Sequence, residues 1–367
     1  MSLTVEPTVD GKSLWMPRVI GAVGFALIVY IAFGLVAGAD WNPTLFIKFD
    51  ESNAPLQEYA EARFDEVIFA GGDGHDGKYF FLQASDPFYL HPDDHADLID
   101  RPTYRAQRML YPTLAGGFGM FPPLVTAWVL VSLNVIAVGV GTYLTSLVAV
   151  RLGLSPMFGL AFFINPAVFV SAVINTAEVF GMVFLMAGIL MAMDRKHTVA
   201  ASMFTLSVLS RETMLLCVVG WVIFEMVSRK KVRWEWSLPF AAVAAWWVYL
   251  RWRIGYLSDD VQDVRALGRP LDGFLSAFQD WISQPERVDD LLVGLGLVLI
   301  CCFFIYLAII RRSLMPLMAA GFGLVGLLMV EEVWAHYFDS TRAMTPLITL
   351  FFLSLPFVAR PHPENLI

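Results

Sequence analysis

Charge is scarce in this sequence. Of 367 residues, 16% are Asp, Glu, Lys or Arg, against roughly 25% in soluble domains. The deficit is concentrated in runs with no charged residue at all: 19–38, 122–150, 154–175 and 291–310. Each is about long enough to cross a hydrocarbon core of roughly 30 Å as a helix. Positive charge is scarcer than negative, and the net charge of −8 excludes the basic surface of a nucleic-acid-binding protein. Cysteine is nearly absent. Cys217, Cys301 and Cys302 lie inside apolar runs, without the spacing of a metal site or a disulfide framework. Short alternating strands are missing too, which argues against a membrane barrel. No fixed-period repeat, low-complexity tract or linker divides the chain, so 1–367 reads as a single transmembrane domain.

What remains is an all-α, polytopic integral membrane protein, because helices satisfy their own backbone in lipid. The run 19–38 is long for a signal-peptide core and reads as a retained signal anchor. Basic clusters at Lys12 and Arg18, Arg195-Lys196, Arg229 to Arg233, Arg311-Arg312 and Arg360 set the sides. Placed in the cytoplasm, they leave both termini cytoplasmic and an even number of spans, about ten. Span one is 19–38. A large acidic extracytoplasmic loop, 39–110, follows. The segment 111–121 is a half-span or interfacial helix. Later spans are 122–150, 155–173, 178–193, 236–254, 291–310, 315–332 and 343–359. Between them 198–228 is too short for two full spans of about 20 residues each. Two short helices meeting at Arg211-Glu212-Thr213 keep its basic ends on one side; the alternative is one long span carrying both charges. A second outside segment, 255–290, contains Asp259-Asp260, Arg265, Arg269 and Pro270. Its 274–282 stretch has the pattern of a helix lying on the membrane.

Four places carry candidate chemistry. Gly71-Gly72-Asp73-Gly74-His75-Asp76-Gly77-Lys78-Tyr79 has glycine at four of its first seven positions. Such a backbone is permissive enough to aim Asp73, His75 and Asp76 at one point, or it is a solvated Asp-Gly turn. It is not a phosphate loop, since the Gly-Lys-Ser/Thr ending is absent. Tyr104-Arg105-Ala106-Gln107-Arg108 places two arginines on one face if helical. Guanidinium forks suit a phosphate; interfacial arginines also snorkel to lipid head groups. Arg211 and Glu212 sit between apolar runs, where charges mark cavities or partners. As neighbours on a helix they do not face each other, so each needs another partner. Arg342 lies among the aromatics of the last outside loop, themselves typical of an interfacial belt. His91, Asp93 and His95 are a weak set for a divalent metal, interrupted by Pro92.

These residues bear a resemblance. Asp76-Gly77-Lys78-Tyr79-Phe80 is similar to the Asp-Gly-x-Tyr/Trp-Phe/Tyr motif in the first outside loop of GT-C glycosyltransferases, with the PIG-V-like mannosyltransferases as the nearest branch. Leu110-Tyr111-Pro112 resembles the aromatic-proline segment that opens their next membrane element. Residues 104–108 resemble a segment of uncharacterised bacterial membrane proteins of this type, and Ser210-Arg211 a polar break in a mid-chain span. Other GT-C branches carry adjacent paired acids; here Asp73 and Asp76 stand apart.

The resemblance implies a GT-C-like fold and inverting transfer of a sugar, mannose-like, from a polyprenyl-phosphate donor to a lipid or glycan acceptor. The reaction would run on the extracytoplasmic face of a membrane, with a bacterial plasma membrane expected. It implies Asp76 as base with Asp73 as alternate, and Arg105, Arg108, Arg211 and Arg342 on the donor phosphate. His75, Lys78, Tyr79, Tyr104 and Glu212 are supporting residues. No cofactor is required beyond a possible divalent metal, and no nucleic acid is expected. The main alternative is a transporter or flippase of a lipid-linked or anionic solute, though no two matched halves with broken helices are visible. A membrane scaffold, or a lipid-phosphate enzyme using His75, His91 or His95, are further alternatives.

Overall fold

The computed structural model describes residues 15–72, 74–229, 232–258 and 267–358. Among them the regular structure is helical, with two isolated bridges, Asp50 with Ala70 and Leu267 with Met329. Along the chain run α1 (Trp15–Ala37), α2 (Ala54–Glu61), α3 (Gly77–Ser85), α4 (Pro123–Arg151), α5 (Pro166–Val173), α6 (Glu178–Met193) and α7 (His197–Ser210). They are followed by α8 (Leu215–Arg229), α9 (Ser237–Ile254), α10 (Asp272–Ser283), α11 (Val288–Ile310), α12 (Leu314–Leu328), α13 (Tyr337–Ala343) and α14 (Thr345–Val358).

Among the described residues three helical stretches are long and apolar enough to cross a membrane: α1, α4 and Pro285–Ile310, which contains α11. A fourth counts if Pro156–Phe163 and α5, bent by 48° from one another, form one span. The bend has a local cause. Pro166 cannot continue the preceding helix, and Asn165 restarts it by accepting from the Ala167 N–H at 3.0 Å. Its amide then ties the break to α14, donating to Thr345 O at 2.9 Å. The other expected spans are shorter apolar helices or, for 236–254, a helix of 18 residues that is not apolar enough. Of the about ten spans expected, three or four have full spanning length among the described residues, and shorter apolar helices lie among them. Close approach of α1 and α4 depends on small residues: a Cβ at Gly21 would lie 2.6 Å from Tyr143 Cβ.

The segment 39–110 is more than a loop. Phe49, Phe64 and Phe81 form an aromatic cluster, with ring centroids 5.6 Å apart for Phe49 and Phe81 and 5.3 Å for Phe64 and Phe81. Leu56, Tyr89 and Ile99 are buried beside short helices. This cap is fastened to α9. Trp246 donates to Ala106 O at 2.9 Å, Tyr249 to Phe88 O at 2.6 Å and Arg253 to Tyr89 O at 2.7 Å. These polar fastenings explain why α9 is less apolar than a simple span.

Two other expectations meet the structure. The chain reverses at 211–214: Phe204 of α7 packs on Trp221 of α8 at 6.0 Å, and the two residues lie on opposite sides of the break at similar distance from it. The hairpin is therefore correct, and the single long span is not. The helix expected at 274–282 exists as α10, but its aromatic face packs inside the protein. Phe274 and Trp281 are buried, and Phe274 meets Trp334 at 5.3 Å. On its other side the large apolar residues Leu275 and Ile282 are exposed beside polar Gln279 and Asp280.

Candidate functional site

Asp76 stands at the start of α3, and close backbone packing holds it there. A Cβ at Gly77 would sit 2.4 Å from Ile174 O and 2.7 Å from Ile47 O. Both obstacles are main chain and cannot rotate away. Gly77→Ala is expected to lower stability by about 1–3 kcal/mol, seen as a reduced melting temperature of the purified protein in lipid, with Asp76 displaced.

Around Asp76 the predicted arginines converge. Arg105 Nη1 lies 2.6 Å from Asp76 Oδ1, and Arg342 Nη2 lies 2.7 Å from Oδ2. Arg108 Nη1 is 3.7 Å from Oδ2. Behind them sit two more carboxylates. Glu178 Oε1 is 3.3 Å from both Arg342 Nη2 and Arg211 Nη1. Glu212 Oε2 accepts from Arg108 Nε at 3.3 Å. Arg211 and Glu212 thus turn to different partners, as adjacency required. Four guanidiniums face three inner carboxylates, Asp76, Glu178 and Glu212.

Arg105 and Arg108 do not share a helix face. Arg105 is the last residue of a short helix, Pro102–Arg105, and Arg108 lies beyond it. Two aromatic side chains steady them. Tyr79 lies under the Arg105 guanidinium at 4.2 Å, and Tyr104 OH accepts from Arg108 Nη2 at 2.8 Å. Asp100 holds Arg105 from the outer side through two hydrogen bonds of 3.1 and 3.2 Å.

The cluster sets the protonation of Asp76. Desolvation alone would raise its pKa, but Arg342, Arg105 and Arg108, in that order, hold its carboxyl well below the usual carboxylate range. Its contribution to stability is therefore present above the unfolded value, about 3.9, and is lost only as pH falls through the lower folded value. The gap in melting temperature between wild type and Asp76→Asn should accordingly stay constant from about pH 7 to about pH 4 and close below that. Asp339 behaves oppositely. Desolvation raises its pKa despite Arg342, whose Nη1 lies 3.3 Å away. His75 is at the open rim, lowered by partial burial and by Arg342.

Lys78 is not part of the cluster; it is buried in an ion pair with Asp50. Asp73 lies outside the described residues. His91, Asp93 and His95 do not converge. His95 is buried against Tyr89, Asp93 accepts from Tyr256 OH at 2.7 Å, and the His91 N–H is held by Asp86. Among the described residues no group of three or more His, Cys, Asp or Glu is arranged to hold a metal ion. The inner carboxylates also fit a divalent cation poorly, because each already faces a guanidinium that would repel it.

Glu178, Asp100 and Asp339 were not singled out by sequence. Glu178 did leave a signal, since it is the lone charged residue between Arg151 and Asp194, and an isolated intramembrane carboxylate marks a partner or a path. Asp100 and Asp339 left none, being ordinary acids in acidic segments.

No protein-family model, curated protein or solved structure matches this chain. The functional reading consequently rests on the residues and their geometry, together with the motif resemblance.

Proposed function

We propose that this protein is a membrane-embedded inverting glycosyltransferase of GT-C type, moving a mannose-like sugar from a polyprenyl-phosphate donor to a lipid or glycan hydroxyl. One observation carries the reading. Arg105, Arg108 and Arg342, from distant parts of the chain, meet around a single loop aspartate, and Arg211 joins them through Glu178, which it shares with Arg342. Clustered cations this deeply buried suit an anion that gains charge during reaction.

In the reaction, the acceptor oxygen attacks the anomeric carbon and the bond from that carbon to the phosphate oxygen breaks. Polyprenyl phosphate leaves with the electron pair and one more negative charge, opposite the arginines. The acceptor proton passes to Asp76. The basic clusters favour cytoplasmic termini and a reaction on the outside, with a bacterial plasma membrane as the expected setting.

A carrier of a lipid-linked anion is the second reading, favoured by the position of Arg211 at the tip of a short apolar hairpin. The deciding measurement is transfer from a panel of radiolabelled polyprenyl-phosphate sugars by the purified protein in lipid. Labelled product supports the enzyme. Donor binding without product from any donor in the panel moves the weight to the carrier.

A further inference from the structure

Asp76 occupies the middle of the arginine cluster and is also its most accessible inner member. Its side chain is 22% exposed, against 6% for Arg342, 2% for Arg108 and 1% for Glu178. Arg105, at 16%, is the most open of its arginines. The cluster is thus reached from the Asp76 side. Glu212 is nearly as open, at 19%, but touches Arg108 at 3.3 Å and neither Arg105 nor Arg342. Within the cluster, Arg211 Nε and Arg342 Nε are buried without a hydrogen-bond partner, Arg211 Nη1 has only its 3.3 Å ion pair with Glu178, and against these donors one acceptor, Glu178 Oε2, is also unmet. Buried donors of this kind are seldom left unmet. The surplus of donors fits an anion with more acceptor oxygens than a carboxylate.

A base clamped by two close guanidiniums takes up a proton poorly. A phosphate and a carboxylate compete for the same guanidinium forks. We infer that the place now filled by the Asp76 carboxylate is the seat of the substrate's phosphate, and that binding the phosphate and freeing the base are one exchange. The lipid-linked nature of that phosphate rests on the function proposed above; the seat rests on the geometry alone. When the phosphate takes Arg105 and Arg342, Asp76 swings aside, released from both. It then lies next to a fresh anion instead of between cations, and its affinity for the acceptor proton rises. Glu178 and Glu212 stay behind and keep Arg211, Arg342 and Arg108 in place. Before substrate arrives the base is held silent, which protects the site from idle chemistry.

The test is titration calorimetry of the full chain in nanodiscs with inorganic phosphate and with farnesyl phosphate. Wild type is compared with Asp76→Asn, Arg105→Gln and Arg342→Gln, each checked for monodisperse elution and a cooperative melt. With the competing carboxylate gone, Asp76→Asn should bind both anions about tenfold more tightly. Each arginine substitution should weaken binding by about tenfold or more. Asp76→Asn binding no tighter than wild type overturns the exchange. Unchanged affinity in Arg105→Gln, which lies on the open side and decides the seat even if Asp76→Asn does not fold, overturns the seat. Tighter binding of farnesyl phosphate than of inorganic phosphate identifies a lipid-linked source. Equal affinity keeps the seat and removes the lipid. Sugar transfer by wild type, with no gain of affinity in Asp76→Asn, leaves the enzyme standing and sinks the exchange. A gain of affinity with no transfer from any donor does the reverse.

Discussion

Asp76→Asn is expected to lower sugar transfer by roughly 10²–10⁴-fold, the range typical of a lost general base, in protein that still folds. The amide keeps the shape of the side chain and still accepts from Arg105 or Arg342, but it cannot take the acceptor proton. The informative comparison is Asp339→Asn. Asp339 lies against the other nitrogen of Arg342, at 3.3 Å, and its side chain is 44% exposed. Its raised pKa makes it the better resting base of the two. If Asp76 is the base, Asp339→Asn should retain activity within about tenfold of wild type. The reverse order, with Asp339→Asn inactive and Asp76→Asn active, would move the base to α13. Turnover is read with saturating donor, so that the tighter phosphate binding expected of Asp76→Asn does not disguise the loss.

The second large effect concerns a residue with no proposed contact to substrate. Glu178→Gln removes the negative charge that balances Arg211 and Arg342 at the inner end of the cluster. Glu178 is 1% exposed and Arg211 9% by side chain, so neither water nor a neighbour replaces the lost partner. Breaking a buried ion pair from one side costs about 3–5 kcal/mol. The double substitution Glu178→Met with Arg211→Leu removes both charges, and it should recover part of that loss because the uncompensated guanidinium is gone. Arg342 keeps Asp76 and Asp339 as partners in the double variant. Equilibrium unfolding in lipid measures the difference. A double variant no more stable than Glu178→Gln would mean that Glu178 acts mainly through Arg342.

Much of the site was legible because intramembrane and loop charges stand out against an apolar background. Arg211 and Glu212 were conspicuous for that reason, and the rule that adjacent helical residues face apart already required two outside partners. The partners themselves were not legible. Glu178 and Arg342 are separated from Arg211 by many residues, and a linear pattern carries no distances between distant segments. Lys78 shows the limit from the other side. In sequence it stands two residues from Asp76 inside the same motif, but α3 begins at Gly77 and carries its side chain to Asp50 instead. Span lengths were legible only in part, for a related reason. Apolar composition reports burial, and a helix such as α6 is buried by its neighbours as effectively as by lipid.

The sequence by itself determined the helical class, the apolar helices able to cross a membrane, and the polar break at 211–214. Each follows from local composition and from the short-range physics of backbone hydrogen bonds and charge burial. Only the tertiary structure decided that 39–110 is a packed cap fastened to α9, that α10 faces inward, and that three arginines close on Asp76 while Arg211 turns to Glu178 behind them. Those outcomes depend on which surfaces meet. Gly77 fits between the carbonyls of Ile47 and Ile174 only once three separate segments have already come together.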